Sequence, residues 1–223
     1  MTLIPFQIYP HLLIFFFKEF EGEEMYERLI KTIFDKLTKW QSLSPTNTDR
    51  VIFNLYCRFL YLTGIRTGNE ALGVRWDDLK TEKDYYLKVR KGKMEGTIKE
   101  GREMIISRSG QESKVIIEVM SPLAKIQGFE KISEAKAKAP SQCLFELKRP
   151  AEIWRSFADE MEVEGTLYWF RHTYITNEIL RGEPLAHIAA QVGNSVKMIE
   201  RHYSHATMRR IRTAELDRNK KDK

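Results

Sequence analysis

Three separated stretches of the chain concentrate residues that can handle an anionic ester. The first is Leu62-Thr-Gly64-Ile-Arg66-Thr-Gly-Asn-Glu70, which runs on to Trp76-Asp-Asp-Leu79. The second is Tyr168-Trp-Phe-Arg171-His172-Thr-Tyr-Ile-Thr. The third passes through Val192-Gly193-Asn194 and ends in Glu200-Arg-His-Tyr203-Ser-His205. Arginine keeps its charge at every physiological pH and donates in a bidentate fork. Arg66 and Arg171 therefore suit the extra charge on the non-bridging oxygens of a phosphodiester in flight. Preorganised donors of this kind are worth about 3–4 kcal/mol each in a transition state. Taken singly, each arginine also reads as a helix-surface or ion-pairing residue, and Tyr203 as a half-buried helix aromatic.

Order and spacing carry more than the residue types. The first stretch resembles the first arginine box of the tyrosine recombinases (phage integrases), T-G-x-R…E…L-x-W-x-D. The second resembles their H/Y-x-x-R helix. In the third, Asn194 takes the place of the family's histidine or tryptophan, nine residues before the tyrosine. The resemblance covers about residues 45 to 210. It implies a catalytic-domain-like fold of that family, mainly helical with a small antiparallel sheet.

It further implies that Tyr203 attacks phosphorus to form a 3′-phosphotyrosine, which stores the bond energy so that rejoining needs no ATP. A lysine on a hairpin tip serves as general acid for the departing 5′-oxygen. By the Gly-Lys pairing this is Lys93, with Lys91 as the close alternative. The scheme needs no metal and no other cofactor. The partner it implies is double-stranded DNA, worked on by a homotetramer, in the cytoplasm at the nucleoid, or in the host cytoplasm if the protein is phage-encoded. The family's usual core-binding domain is absent from this reading. A topoisomerase-like relaxing activity and a non-catalytic DNA-binding protein on the same scaffold are the rivals.

The chain departs from the commonest pattern at three points. Tyr168 stands where histidine is usual, and a phenol titrating near pH 10 is a poor base. Asn194 donates to phosphate but cannot titrate. Glu70 lies four positions after Arg66 rather than three, nearly the same helix face. Glu70 either orients a neighbouring group or pairs with a lysine. His172 reads as a packing or capping residue rather than a reacting one. His205 follows a family habit of a supporting histidine just past the tyrosine. Arg209-Arg-Ile-Arg212 reads as a solvated helix face, or as a contact to DNA or a second subunit.

The elements that must position these residues follow from periodicity. Apolar residues at 25, 29, 33, 37 and 40 mark a helix over 23–42, and Val51, Ile52, Leu55, Phe59 and Leu60 mark another over 48–62. Tyr85–Val89 and Met104–Ile106 flank a segment rich in glycine and lysine and read as a hairpin with a long tip. Trp76–Leu79 is a candidate third strand. Helices resume from Lys114, with breaks near 134–141 and 163–167.

Composition sets outer limits. The chain has 223 residues, 42% hydrophobic and 30% charged, and a net charge of +6, which suits one globular domain with a mild preference for polyanions. Two distant cysteines, Cys57 and Cys143, match no metal-ligand spacing, and Cys57 reads as a buried small hydrophobe. Residues 1–22 form an apolar segment. Leu3–Phe17 has no basic start, carries Pro5 and Pro10, and is too short to span a bilayer. It reads as a packing segment, an oligomer contact or a remnant of a longer protein, with 23–223 as the catalytic domain and no membrane partner.

Overall fold

A computed structural model describes residues 23–81, 85–90, 101–107 and 113–221. The apolar segment 1–22 and the hairpin tip with Lys91 and Lys93 lie outside the described residues. Two helices open the fold, α1 (Glu23–Ser42) and α2 (Thr48–Thr63). Asn47 caps α2, its side chain accepting from the Asp49 and Arg50 amides, which satisfies first-turn donors that have no partner inside the helix. Gly64 ends α2 in the left-handed region at φ +64°.

A short helix, α3 (Asn69–Leu72), and a 3₁₀ turn (Trp76–Asp78) lead into the strands β1 (Leu79–Thr81), β2 (Tyr85–Val89) and β3 (Arg102–Ser107). They form one antiparallel sheet in the order β1-β2-β3, with Leu87 opposite both Leu79 and Met104. The expected strand over Trp76–Leu79 is corrected: only Leu79 is strand. Asp78 accepts from the Arg75 amide at 2.9 Å and so closes the preceding turn. Asp78 also pairs with Arg90, at the end of β2.

The second half is helical. A π-helical turn (Ile116–Met120) runs into α4 (Ser121–Ile126), followed by α5 (Ile132–Lys138), α6 (Pro150–Met161), α7 (Tyr168–Arg181), α8 (Leu185–Val192) and α9 (Val196–Lys221). The expected break at 134–141 falls later. Alanine and lysine favour helix, so α5 runs through Lys138 with Ala135 buried, and the chain turns only at Ala139-Pro140. The break near 163–167 holds.

Among the described residues, two clusters of buried side chains hold the fold. The larger draws on α1, α2, the sheet, α6 and the start of α7, with Leu37, Phe53, Tyr56, Phe59, Trp76 and Phe157 all fully enclosed. Cys57 is fully buried within it, as its pattern implies. The smaller cluster joins the end of α7 to α8 and α9 through Ile175, Ile179, Ile188, Val192, Ile199 and Tyr203. Among the described residues, no helix is long and apolar enough to cross a membrane.

Candidate active site

Arg171 is the centre of the arrangement. It projects from the first turn of α7 and is 2% exposed. Its guanidinium donates from Nη1 to the Gly64 carbonyl at 2.7 Å and from Nη2 to the Val192 carbonyl at 2.8 Å. These carbonyls belong to the turns after α2 and α8, which carry Arg66 and Asn194. One buried side chain thus fastens two of the sequence stretches to the third. Desolvation lowers its pKa to about 10, with nearby Arg66 adding to the drop and Tyr168, Glu70 and Tyr203 opposing it. It keeps its charge at neutral pH.

Gly64 is required at its turn twice over. It adopts a positive φ, and a Cβ there would stand 2.3 Å from the Tyr174 ring. Gly193, also at φ +64°, lets the backbone lie against Arg102, whose guanidinium a Cβ would meet at 2.8 Å.

Arg66 is more open, with its side chain 22% exposed. It donates from Nη1 to Glu70 Oε1 at 2.7 Å and from Nη2 to the Gly193 carbonyl at 2.6 Å. Partial burial works against its charge, but the hydrogen bond and ion pair with Glu70, with help from Tyr168, outweigh it and raise the pKa. Glu70 is 1% exposed. Its other oxygen accepts from Arg102 Nη2 at 2.9 Å. The pairing of Glu70 with a lysine is therefore corrected: among the described residues its partners are two arginines, and it orients both.

Arg102 was not singled out by the sequence, because it lies 32 residues past Glu70 in an ordinary-looking strand. It opens β3, and its Nε donates to the Gln191 carbonyl at 3.3 Å. Its Nη1 is buried and has no hydrogen-bond partner. Gln191 completes the link by pairing its side-chain amide with both backbone groups of Ile105, at 3.1 and 2.5 Å. The outer hairpin strand is thereby joined to α8 and to Glu70. No spacing rule signals such a contact, since it depends on strand-to-helix packing.

Tyr203 is 5% exposed and sits at a kink inside α9, where φ −124° and ψ 20° leave the helical region. Burial drives its phenol pKa up, Arg171 pulls it down and Tyr168 pushes it further up. His172 packs against the Tyr203 ring, with centroids 5.6 Å apart, and its Nδ1 also lies 2.6 Å from Tyr203 Oη. Tyr168 is 38% exposed at the start of α7, with its ring centroid 5.1 Å from that of His172. Asn194 follows the α8 cap, and its Oδ1 accepts from the Ser195 amide at 3.1 Å. His205 lies within α9, but its side chain is not among those described. Among the described residues no group of three or more His, Cys, Asp or Glu is placed to hold a metal ion.

No protein-family model matches the chain, and no curated protein matches it in sequence. Solved structures do. The XerH site-specific recombinase bound to a palindromic difH substrate, in a post-cleavage complex, superposes with a TM-score of 0.57 at 17% identity. That match covers 87% of this chain and 52% of the other. The pre-cleavage complex of XerH with difH gives a TM-score of 0.54 at 16% identity, covering 83% and 49%.

The fold is that of a tyrosine recombinase catalytic domain. This chain spans about half the length of the recombinase chains it matches. Within this fold the three sequence stretches adjoin: Arg171, from the second, donates to carbonyls of the first and third, at Gly64 and Val192.

Proposed function

We propose that the protein is a DNA strand-exchange enzyme that cuts and rejoins double-stranded DNA through a 3′-phosphotyrosine at Tyr203. The observation that carries the reading is the convergence of two guanidiniums and a phenol, from positions 66, 171 and 203, upon one set of interlocked turns. Tyr203 Oη attacks phosphorus, and the electron pair leaves on the 5′-oxygen, which takes a proton. Arg66, the more accessible guanidinium, faces the non-bridging oxygens. Arg171 adds a positive field from beneath while holding the turns in register. The Tyr168 hydroxyl and the Asn194 amide are further donors to the phosphate. Lys93, or Lys91, supplies the proton to the leaving oxygen from the hairpin tip, and His205 supports the site. No cofactor or metal takes part in this scheme.

Integration, excision or dimer resolution on four assembled protomers is the finer form of the proposal. A cytoplasmic setting, where chromosomal or phage DNA is accessible, goes with it. DNA binding through phosphate contacts falls steeply with salt.

The test begins by selecting bound duplexes from a random-sequence pool. A nicked version of the selected site, which traps the cut end, is then incubated with the protein and run on a denaturing gel. The unaltered protein is expected to give a covalent adduct and Tyr203→Phe none. Binding without adduct on every selected duplex identifies a DNA-binding protein that lacks catalysis. Adduct with plasmid relaxation but no exchange between two sites identifies a topoisomerase.

A further inference from the structure

We propose that His172 is the group that takes the proton from Tyr203 during strand cleavage and returns it during rejoining. The inference rests on the reading of Tyr203 as the nucleophile, and names a further catalytic residue for it. Neither polar residue at the two substituted positions is fitted to this proton transfer, since Tyr168 offers a phenol and Asn194 an amide that does not titrate. His172 offers an imidazole, the side chain that exchanges protons most readily near neutral pH.

Geometry carries the assignment. Nδ1 of His172 stands 2.6 Å from Tyr203 Oη, a hydrogen bond already formed before any DNA is bound. The two rings lie 5.6 Å apart at 41°. The imidazole is held on both sides. Its neighbour Arg171 is fixed to the Gly64 and Val192 carbonyls, and the Tyr168 ring packs edge-on against it at 63°. His172 and Arg171 therefore reach the phenol from one rigid helical turn. The buried phenol resists ionisation without a partner, so an acceptor within hydrogen-bonding reach matters more here than it would in water.

Protons and bonds balance through both halves of the cycle. His172 begins neutral, with its proton on Nε2 and the Nδ1 lone pair on the phenolic hydrogen. As the Oη–P bond forms, that hydrogen moves to Nδ1 and leaves an imidazolium. The P–O5′ bond breaks, and O5′ takes its proton from the hairpin lysine. In rejoining, the 5′-hydroxyl attacks phosphorus and gives its proton back to the lysine. The Oη–P bond breaks, and Nδ1 returns its proton to Oη.

Single-turnover adduct formation on the trapped duplex separates the outcomes. His172→Asn keeps an acceptor oxygen close to the position of Nδ1 but takes no proton, so it and His172→Ala are expected to slow cleavage by about 10²- to 10⁴-fold while DNA binding is retained. Difluorotyrosine at position 203, a more acidic phenol, should restore much of that loss in His172→Asn. An undiminished rate in His172→Asn, or a loss that the fluorinated phenol leaves unchanged, overturns the inference. Absence of adduct from the unaltered protein instead sinks the nucleophile reading, and this one with it. Nitrogen-15 NMR of the unaltered protein gives an answer that does not depend on any variant folding. Nδ1 is expected to be an unprotonated acceptor near neutral pH, and a protonated Nδ1 would refute the assignment.

Discussion

The turns that hold the guanidiniums and the helix that holds the phenol are built on different principles. Around Arg66 and Arg171 every turn is tied. Arg171 bonds two carbonyls from below, Glu70 bridges Arg66 and Arg102, and Gln191 joins α8 to β3. The assembly also leans on the larger core through α2 and the start of α7. Tyr203 belongs to the smaller cluster, on a helix kinked at that residue, with Met208 at 65% and Ile211 at 47% exposure one and two turns beyond. Groups that stabilise developing charge gain most from being fixed beforehand, because nothing then has to reorganise as the reaction proceeds. A nucleophile must approach and withdraw in each half of a cut-and-rejoin cycle. On the proposed reading of Tyr203 as that nucleophile, the thinner anchorage of α9 suits the duty.

This contrast is open to direct attack. The largest effect is expected from Arg171→Met, which removes the tie between the turns. Two buried carbonyls lose their partner at about 1–3 kcal/mol each, so denaturant unfolding should show a loss of up to about 6 kcal/mol. A loss below about 1 kcal/mol would mean that the turns are held by something else. Next comes Arg66→Ala. The adduct rate should fall by about 10²- to 10³-fold, and DNA binding should weaken far less, since the lost contact matters most when charge develops.

A pH experiment compares the two buried phenols. Tyr56, in the larger core, has its pKa pushed up to about 12, chiefly by burial, with a hydrogen bond shared with the Thr67 hydroxyl and one from the Gly68 amide partly offsetting the rise. A phenol ionises near pH 10 in the unfolded chain. The folded state therefore binds its proton more tightly, and this stability is fully present below about pH 10 and is lost as pH climbs toward 12. Across that window the global unfolding free energy should fall by up to about 3 kcal/mol on account of Tyr56, and Tyr56→Phe should flatten the fall. Tyr203, whose pKa is also raised by burial, should act on the local opening of α9 instead. If Tyr203→Phe flattens the global curve as strongly as Tyr56→Phe, the two regions unfold as one unit and the comparison fails. The smallest effect is expected from Ile199→Val, at about 1 kcal/mol. Hydrogen exchange should quicken over residues 196–206 and remain unchanged over α2, because sub-global openings follow local contact density.

Part of the candidate site was legible before any fold was known. Arg66, Arg171 and Tyr203 stand out because the boxes that hold them resemble those of a known family, and α1 and α2 because their apolar residues recur with the helical period. What was not legible depends on contacts between distant segments. Arg102 meets the Gln191 carbonyl across 89 positions of sequence, and it joins Arg66 as a partner of Glu70 only once the start of β3 comes within reach. Trp76–Asp78 is a 3₁₀ turn, with Asp78 reaching back to the Arg75 amide, and its two aspartates argue against a strand even before that contact is known.

The linear chain alone determined the order of the three stretches, the helical frame and the absence of a histidine at positions 168 and 194, since these are properties of residue type and interval. Tertiary structure alone decided which basic group touches the phenol and which arginine is buried. Those outcomes turn on distances of a few ångströms between helices, and hydrogen-bond energies vanish when such distances grow by even one.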